Sequence, residues 1–250
     1  MTQSRFVHRF RMMWPGMVRH AGIVLAISLC SVGINTRTVW SQAQDTLHEQ
    51  QEPSIVKLRE GLYKVGSVIL DRAQNEIRLE GEVNMQRGAI EYLACARGGK
   101  LHESVLVIDV EPYELQVALL LLGLEPGGNI EYQGDARTPQ GDSLEIWVEW
   151  EEKGEMKRHR AEDCVFDLVE KRTMTPTPWI FTGSKIEDGV FIANVERSLM
   201  ATYHDPYALL NHPLPTGADD TVYKVNEALV PKKGTPVTVL MRSLQSAMKH

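Results

Sequence analysis

Apolar residues come in short, strand-like runs along most of this chain. Between Leu62 and Met85 the apolar residues are Val65, Val68, Leu70, Ile77, Leu79 and Val83, and Asp71-Arg72-Ala73-Gln74-Asn75 separates them as a turn, so a hairpin is predicted. Ile77 and Leu79 alternate with Arg78 and Glu80, as in a strand with one wet face. The clearest alternation sets Leu144, Ile146, Val148 and Trp150 against Glu145, Trp147 and Glu149. Trp147 thus sits among acids, where a second packed element is expected to cover it. Lys153-Gly154 then makes a turn and Met156–Arg160 returns as a strand. Val237–Met241 is the last predicted strand.

One stretch departs from this pattern. Pro112 to Leu122 reads as a helix, with Pro112 at its first position, Glu114 at the positive end of the dipole and Gly123 just past its end. Its leucines leave little polar face, so the helix is expected to be buried. Before it, Ile90–Ala96 is short and mixed, Gly98-Gly99 signals a hairpin turn, and Leu101–Val110 reads as a strand. Residues 125–142 form a Gly/Pro-rich connection, Ala161–Val169 a short helix, and 174–178 an extended segment before Trp179. Gly189–Met200 has strand character, and Asp205-Pro206 opens one capped helical turn followed by a polar loop at 214–221. Strands and helices do not alternate regularly, which predicts an α+β fold with a mixed, mainly antiparallel sheet, a few short helices and the buried helix at 112–122.

The N-terminus alters the picture of where the protein goes. Arg5, Arg9, Arg11 and Arg19 precede an apolar run from Ala21 to Ile34, and Ser41-Gln42-Ala43 supplies a small-x-small site. This reads as a secretory signal over 1–43, with an uncleaved membrane anchor as the alternative. A polar leader (44–54) follows, and one domain over 55–250. No Arg-Arg pair supports a twin-arginine signal, and Leu29 before Cys30 argues against lipidation. Five of the 27 basic residues and none of the 33 acidic ones precede residue 44, leaving 22 basic against 33 acidic residues, a net charge of −11. That balance argues against nucleic acid as a partner, and no membrane span is expected after the signal. An envelope protein or a small ligand remains as partner.

The densest reactive chemistry lies in residues 91–104. His102, Glu103 and Ser104 are the candidate catalytic residues. Lys100, His102, Glu103, Thr182, Ser184 and His204 are candidates for ligand binding, and the backbone amides of Thr182-Gly183-Ser184 could cradle an anion. Gly98-Gly99-Lys100 lacks phosphate-loop spacing, and Leu106 stands where a metalloprotease helix would carry its second His. A metal could still be held by scattered residues, for which His102, Glu103, His204 and Asp205, with His212, are the candidates. On a strand, His102 and Ser104 would share a face, which leaves a nucleophilic relay open. Cys95 and Cys164 could form a disulfide or a redox pair outside the cytoplasm, or stay as buried thiols. They match no zinc or iron–sulfur spacing, and no cofactor is predicted.

Glu91-Tyr92-Leu93, Gly99-Lys100-Leu101-His102-Glu103-Ser104, Ala118-Leu119-Leu120 with Leu122-Gly123-Leu124, Trp179-Ile180-Phe181-Thr182-Gly183-Ser184 and Asp205-Pro206 together resemble the YdjY-like domain, an exported bacterial family without an established activity. The resemblance covers about Leu62 to Leu240. It implies a single exported domain of bacterial origin and transfers no catalytic residue. Three functional expectations stand: a binding or interaction module of the envelope, a metal-assisted or nucleophilic hydrolase centred on His102 and Glu103, and a thiol redox partner using Cys95 and Cys164.

Overall fold

A computed structural model of the chain describes residues 52–244. The predicted signal peptide (1–43) and residues 44–51 of the leader lie outside the described residues. Strand makes up 41% of the structure and helix 13%, and eight strands close into a barrel. The α+β expectation is therefore corrected: the fold is mostly β, with two α-helices among the described residues.

The chain opens with a meander of four strands, β1 (Ile55–Arg59), β2 (Leu62–Val65), β3 (Val68–Asp71) and β4 (Glu76–Val83), each antiparallel to the next. The turn predicted at 71–75 joins β3 to β4, where Asp71 Oδ1 accepts the amides of Ala73 and Gln74 at 3.0 Å. Next come β5 (Tyr92–Ala96), β6 (Ser104–Ile108) and helix α1 (Pro112–Leu121). Strands β5 and β6 run parallel, with Tyr92 beside Ser104 and Ala96 beside Ile108. Gly98-Gly99 is therefore no hairpin turn. It starts a seven-residue return along the strands, through a 3-10 turn at Leu101–Glu103. Gly99 is needed there, since a Cβ would sit 2.8 Å from that of Arg197.

The helix is where the pattern put it, with Pro112 in its first turn and Gly123 beyond it at φ +93. It is not buried all round. Leu115, Ala118 and Leu119 face the core, whereas Leu120 and Leu121 are exposed, because the helix packs by one side on β2 and β3. Glu114 anchors it: its Oε2 accepts the Ser67 amide at 2.9 Å and the Ser67 hydroxyl at 2.7 Å. A Cβ on Gly66 would overlap that carboxylate.

The second half supplies β7 (Ser143–Glu152), β8 (Glu155–Arg160), β9 (Val165–Asp167), β10 (Arg172–Thr173), β11 (Trp179–Phe181), β12 (Ile186–Glu187) and β13 (Val190–Phe191). Helix α2 (Ile192–Glu196), β14 (Ser198–Ala201), β15 (Leu210–Asn211), β16 (Tyr223–Val225) and β17 (Pro236–Ser243) complete the chain. Three predictions change here. The helix expected at 161–169 is a 3-10 turn at Ala161–Cys164 running into β9. The strand expected over 189–200 is split by α2. The helical turn at 205–213 is an Asx turn, in which Asp205 Oδ1 accepts the Tyr207 amide at 2.9 Å, and the chain then enters β15.

Strand β17 lies between β4 and β7 and pairs with both along nearly its whole length. The outer edges of β4 and β7 fork. The first half of β4 pairs with β3 and its second half with β6. Likewise β7 pairs with β11 at its start and β8 at its end. The ring β4-β17-β7-β11-β15-β14-β5-β6 closes back on β4. Gly81 sits at the fork, where a Cβ would overlap the Val107 carbonyl oxygen. The buried positions of β7 are those its alternation predicted, and Trp147 is covered by the Arg160 guanidinium 5.1 Å from its ring centre. An eight-stranded ring is just wide enough to fill with side chains, and Val148, Val239, Leu79 and Leu106 belong to one continuous core. Strands β5, β6 and β14 are buried on both faces. Outside them, Tyr92, Cys95, Ala201 and Ala208 form a second small core under Leu101.

Candidate functional site

Two neighbouring features gather the residues singled out by the sequence. The first is a buried polar network outside β5 and β15. Tyr92 donates its hydroxyl to Asp205 Oδ2 at 2.8 Å and accepts from Lys100 Nζ at 2.9 Å and Gln133 Nε2 at 3.2 Å. Burial first, and then the Asp205 carboxylate beside it, hold the Tyr92 phenol above its ordinary range, so it acts here as a donor. Asn211 continues the network: its Oδ1 accepts the Asp205 amide at 2.8 Å and its Nδ2 donates to Thr182 Oγ1 at 2.8 Å. Four distant segments, 92–100, 133, 182 and 205–211, are thereby joined through groups that are mostly buried or part-buried. Lys100, part-exposed and 3.5 Å from Glu196, is the network's charged outlet.

The second feature is a groove of about 430 Å³ lined by Glu91, His102, Glu103, Asp220 and Thr221. Glu91 sits at the start of β5, where its carbonyl accepts the amides of Thr202 at 2.8 Å and Tyr203 at 3.0 Å. Its carboxyl is raised above the usual range, by burial first and then by Glu103 and Asp220. Among the described residues it has no ion pair or hydrogen bond of its own. His102 is 80% exposed, with Nε2 3.5 Å from Glu103 Oε2.

The other candidate chemistry is not assembled. His102 is out in solvent, while Ser104 is fully buried and donates its hydroxyl to the Leu106 carbonyl at 2.8 Å. The 3-10 turn removes the strand geometry that would have put these two on one face. Among the described residues no group of three or more His, Cys, Asp or Glu side chains is arranged to hold a metal ion. His204 is buried with its ring nitrogens against the carbonyl oxygens of Asp135 and His212, and Asp205 is taken by Tyr92 and Tyr207, so neither joins His102 and Glu103. The amides of Thr182, Gly183 and Ser184 all donate to the carbonyls of Ala208 or Leu209, which leaves none for an anion, and the Ser184 hydroxyl accepts the Ala193 amide. Cys95 and Cys164 are free, and burial pushes both thiols up to about 12, far from the thiolate that redox chemistry needs.

The model of the YdjY domain matches residues 68–242, well over half of the chain. The chain belongs to the YdjY domain family. No curated protein and no solved structure matches it. In this YdjY domain the matched span runs from β3 through β17 and so takes in every strand of the barrel and both features of the site. Sequence reasoning missed Gln133 and Asp220, which lie in loops with no pattern of their own. Glu91, by contrast, lies within the stretch that carries the family resemblance, although it is not among the candidate site residues read from the sequence.

Proposed function

We propose that this YdjY domain is an exported binding module whose ligand-facing surface is the Glu91–Glu103–Asp220 groove, and that the ligand is a small organic cation of the amine class. The observation that carries this reading is the Glu91 carboxyl. It is part-buried, crowded by Glu103 and Asp220 with Lys100 offsetting them only in part, and without an ion pair among the described residues. A bound ammonium group would relieve that crowding. The volume of the groove suits a small molecule. The N-terminal basic and apolar stretches support export, and the net charge of −11 after residue 43 favours a cation over an anion.

The test is calorimetric titration of the purified protein with a linear diamine and triamine. Binding should weaken as salt rises, and Glu91→Gln should lower affinity about tenfold, or roughly 1.4 kcal/mol. Binding should also strengthen as pH rises through the raised Glu91 titration, since only the carboxylate attracts the cation. Absence of binding, or equal affinity in Glu91→Gln, refutes the reading.

A further inference from the structure

An open strand edge is a template for another strand unless the sequence blunts it. Among the described residues, two strands of five or more residues lie at a sheet edge, β1 and β8. They are guarded differently. β8 presents Met156 beside Lys157, Arg158, His159 and Arg160, and Arg158 and Arg160 reach across to Glu149 and Glu145 of β7. β1 reads Ile-Val-Lys-Leu-Arg, with every residue exposed. Ile55 is 53%, Val56 48% and Leu58 50% exposed, and no other strand of the described residues shows three such large apolar side chains. Its two cations, the usual guard of an edge, are partly neutralised within their own sheet. Lys57 Nζ lies 2.6 Å from Glu60 Oε2, and Arg59 Nη2 lies 3.6 Å from Asp71 Oδ2.

The direction of the open hydrogen bonds follows from the ladder. The Gly66 amide donates to the Ser54 carbonyl at 2.8 Å. The register continues with Ile55 opposite Val65, Val56 opposite Lys64 and Lys57 opposite Tyr63. In an antiparallel pair the amide and carbonyl of one residue point to the same side, and successive residues alternate. Ser54 and Val56 therefore bond towards β2, whereas Ile55 and Lys57 turn amide and carbonyl to the open side.

We propose that β1 is a self-association edge, which pairs antiparallel with β1 of a second copy of this chain about a two-fold axis at Lys57.

The strand is complementary to itself in this register. Lys57 exchanges two backbone hydrogen bonds with its counterpart and so takes the wide position of the ladder, with Cα atoms about 5.5 Å apart. Val56 of each copy falls opposite Leu58 of the other in the close position, with Cα atoms about 4.5 Å apart, where side chains meet best. Charge is held apart and apolar surface brought together. On the Val56 face the cluster continues over Lys64 to the part-buried Ile69. An axis at Ile55 would instead set Lys57 opposite Pro53, which has no amide to donate. The irregular step in the β1–β2 ladder lies past Lys57, at the outer end of the contact. A two-fold contact of this kind uses the same patch on both copies and closes, so association stops at the dimer. One strand pair is a small contact, below the roughly 1,200 Å² of stable interfaces. The dimer is therefore weak, with a Kd between about 10 μM and 1 mM. Each chain carries a net charge of −11 after residue 43, so the two copies repel at long range and salt favours their meeting. None of this depends on the amine groove.

The experiment is sedimentation equilibrium of the purified protein at concentrations spanning that Kd range. A reversible monomer–dimer equilibrium that tightens as salt rises is expected. Lys57→Pro removes an amide that faces the open side and leaves the β1–β2 bonds in place, so it should weaken the dimer at least about tenfold with an unchanged thermal midpoint. Val56→Lys, at a position exposed in the monomer, should weaken it at least about tenfold as well. If Lys57→Pro lowers the thermal midpoint, Val56→Lys decides alone. A protein that stays monomeric up to about 1 mM overturns the proposal. So does a dimer that these substitutions leave unchanged, or one that salt dissociates. No amine is present, so failure here is separate from failure of the groove to bind.

Discussion

At the scale of single residues, the buried polar groups of this protein are arranged around hydrogen bonding more than around reactivity. His212 is the plainest case. Its ring packs edge-on to Trp179 at 5.3 Å and its Nε2 faces Thr177 Oγ1 at 3.2 Å. With a folded-state pKa of about 3 against an ordinary 6.5, the unfolded chain takes the proton first. The contribution of His212 is therefore whole above pH 6.5 and is lost as pH falls towards 3, by up to about 5 kcal/mol. Chemical denaturation at several pH values should show this acid slope in the wild type and a shallower one in His212→Phe. An identical slope in the two proteins would sink the assignment. The same burial logic explains the thiols. Cys95 and Cys164 read in sequence as small buried thiols ahead of a bonded or redox pair, and their surroundings in the fold are those of core residues.

At the scale of elements, helix α1 shows how far periodicity reaches. Its start, end and capping residues follow from local chemistry: Pro112 has no amide to leave unsatisfied, and Gly123 adopts a positive φ without strain. Which leucines it buries does not, since Leu115 through Leu122 are apolar nearly all round. The neighbours β2, β3 and α2 select Leu115 and Leu119 and leave Leu120 46% exposed. Leu115→Ala should cost about 2–5 kcal/mol, and Leu120→Ala should stay within about 0.5 kcal/mol, as read from denaturant midpoints. Equal losses would mean the helix packs differently. The short strands show the converse. Trp179–Phe181, Ser198–Ala201 and Leu210–Asn211 are two to four residues long, and β14 and β15 are buried on both faces. They carry no period-two signal, so Trp179–Phe181 and Leu210–Asn211 are not legible as strands, and Ser198–Ala201 is legible only as the end of the strand-like run at 189–200.

At the scale of the whole molecule, closure depends on the last strand. β17 joins β4 from the first half of the chain to β7 from the middle, and both forks depend on it. A chain ending at Thr235 leaves two long edges unpaired in the barrel wall. It should show no cooperative unfolding transition by circular dichroism, where the full chain should show one. A cooperative transition in the shortened chain would mean that the ring tolerates a gap.

What the sequence by itself determined is local. The β3–β4 turn, the β7 alternation and the limits of α1 all depend on residues close together in the chain, where dihedral preference and side-chain period act directly. The tertiary structure alone decided the rest. Closure of eight strands into a ring, the parallel return from β5 to β6, the meeting of Tyr92, Lys100 and Asp205, and the crowding of Glu91 by Glu103 and Asp220 join segments many residues apart. No local period encodes such pairings. They follow from which apolar faces can be buried together once all the strands are present, and the candidate site lies where those distant segments come together.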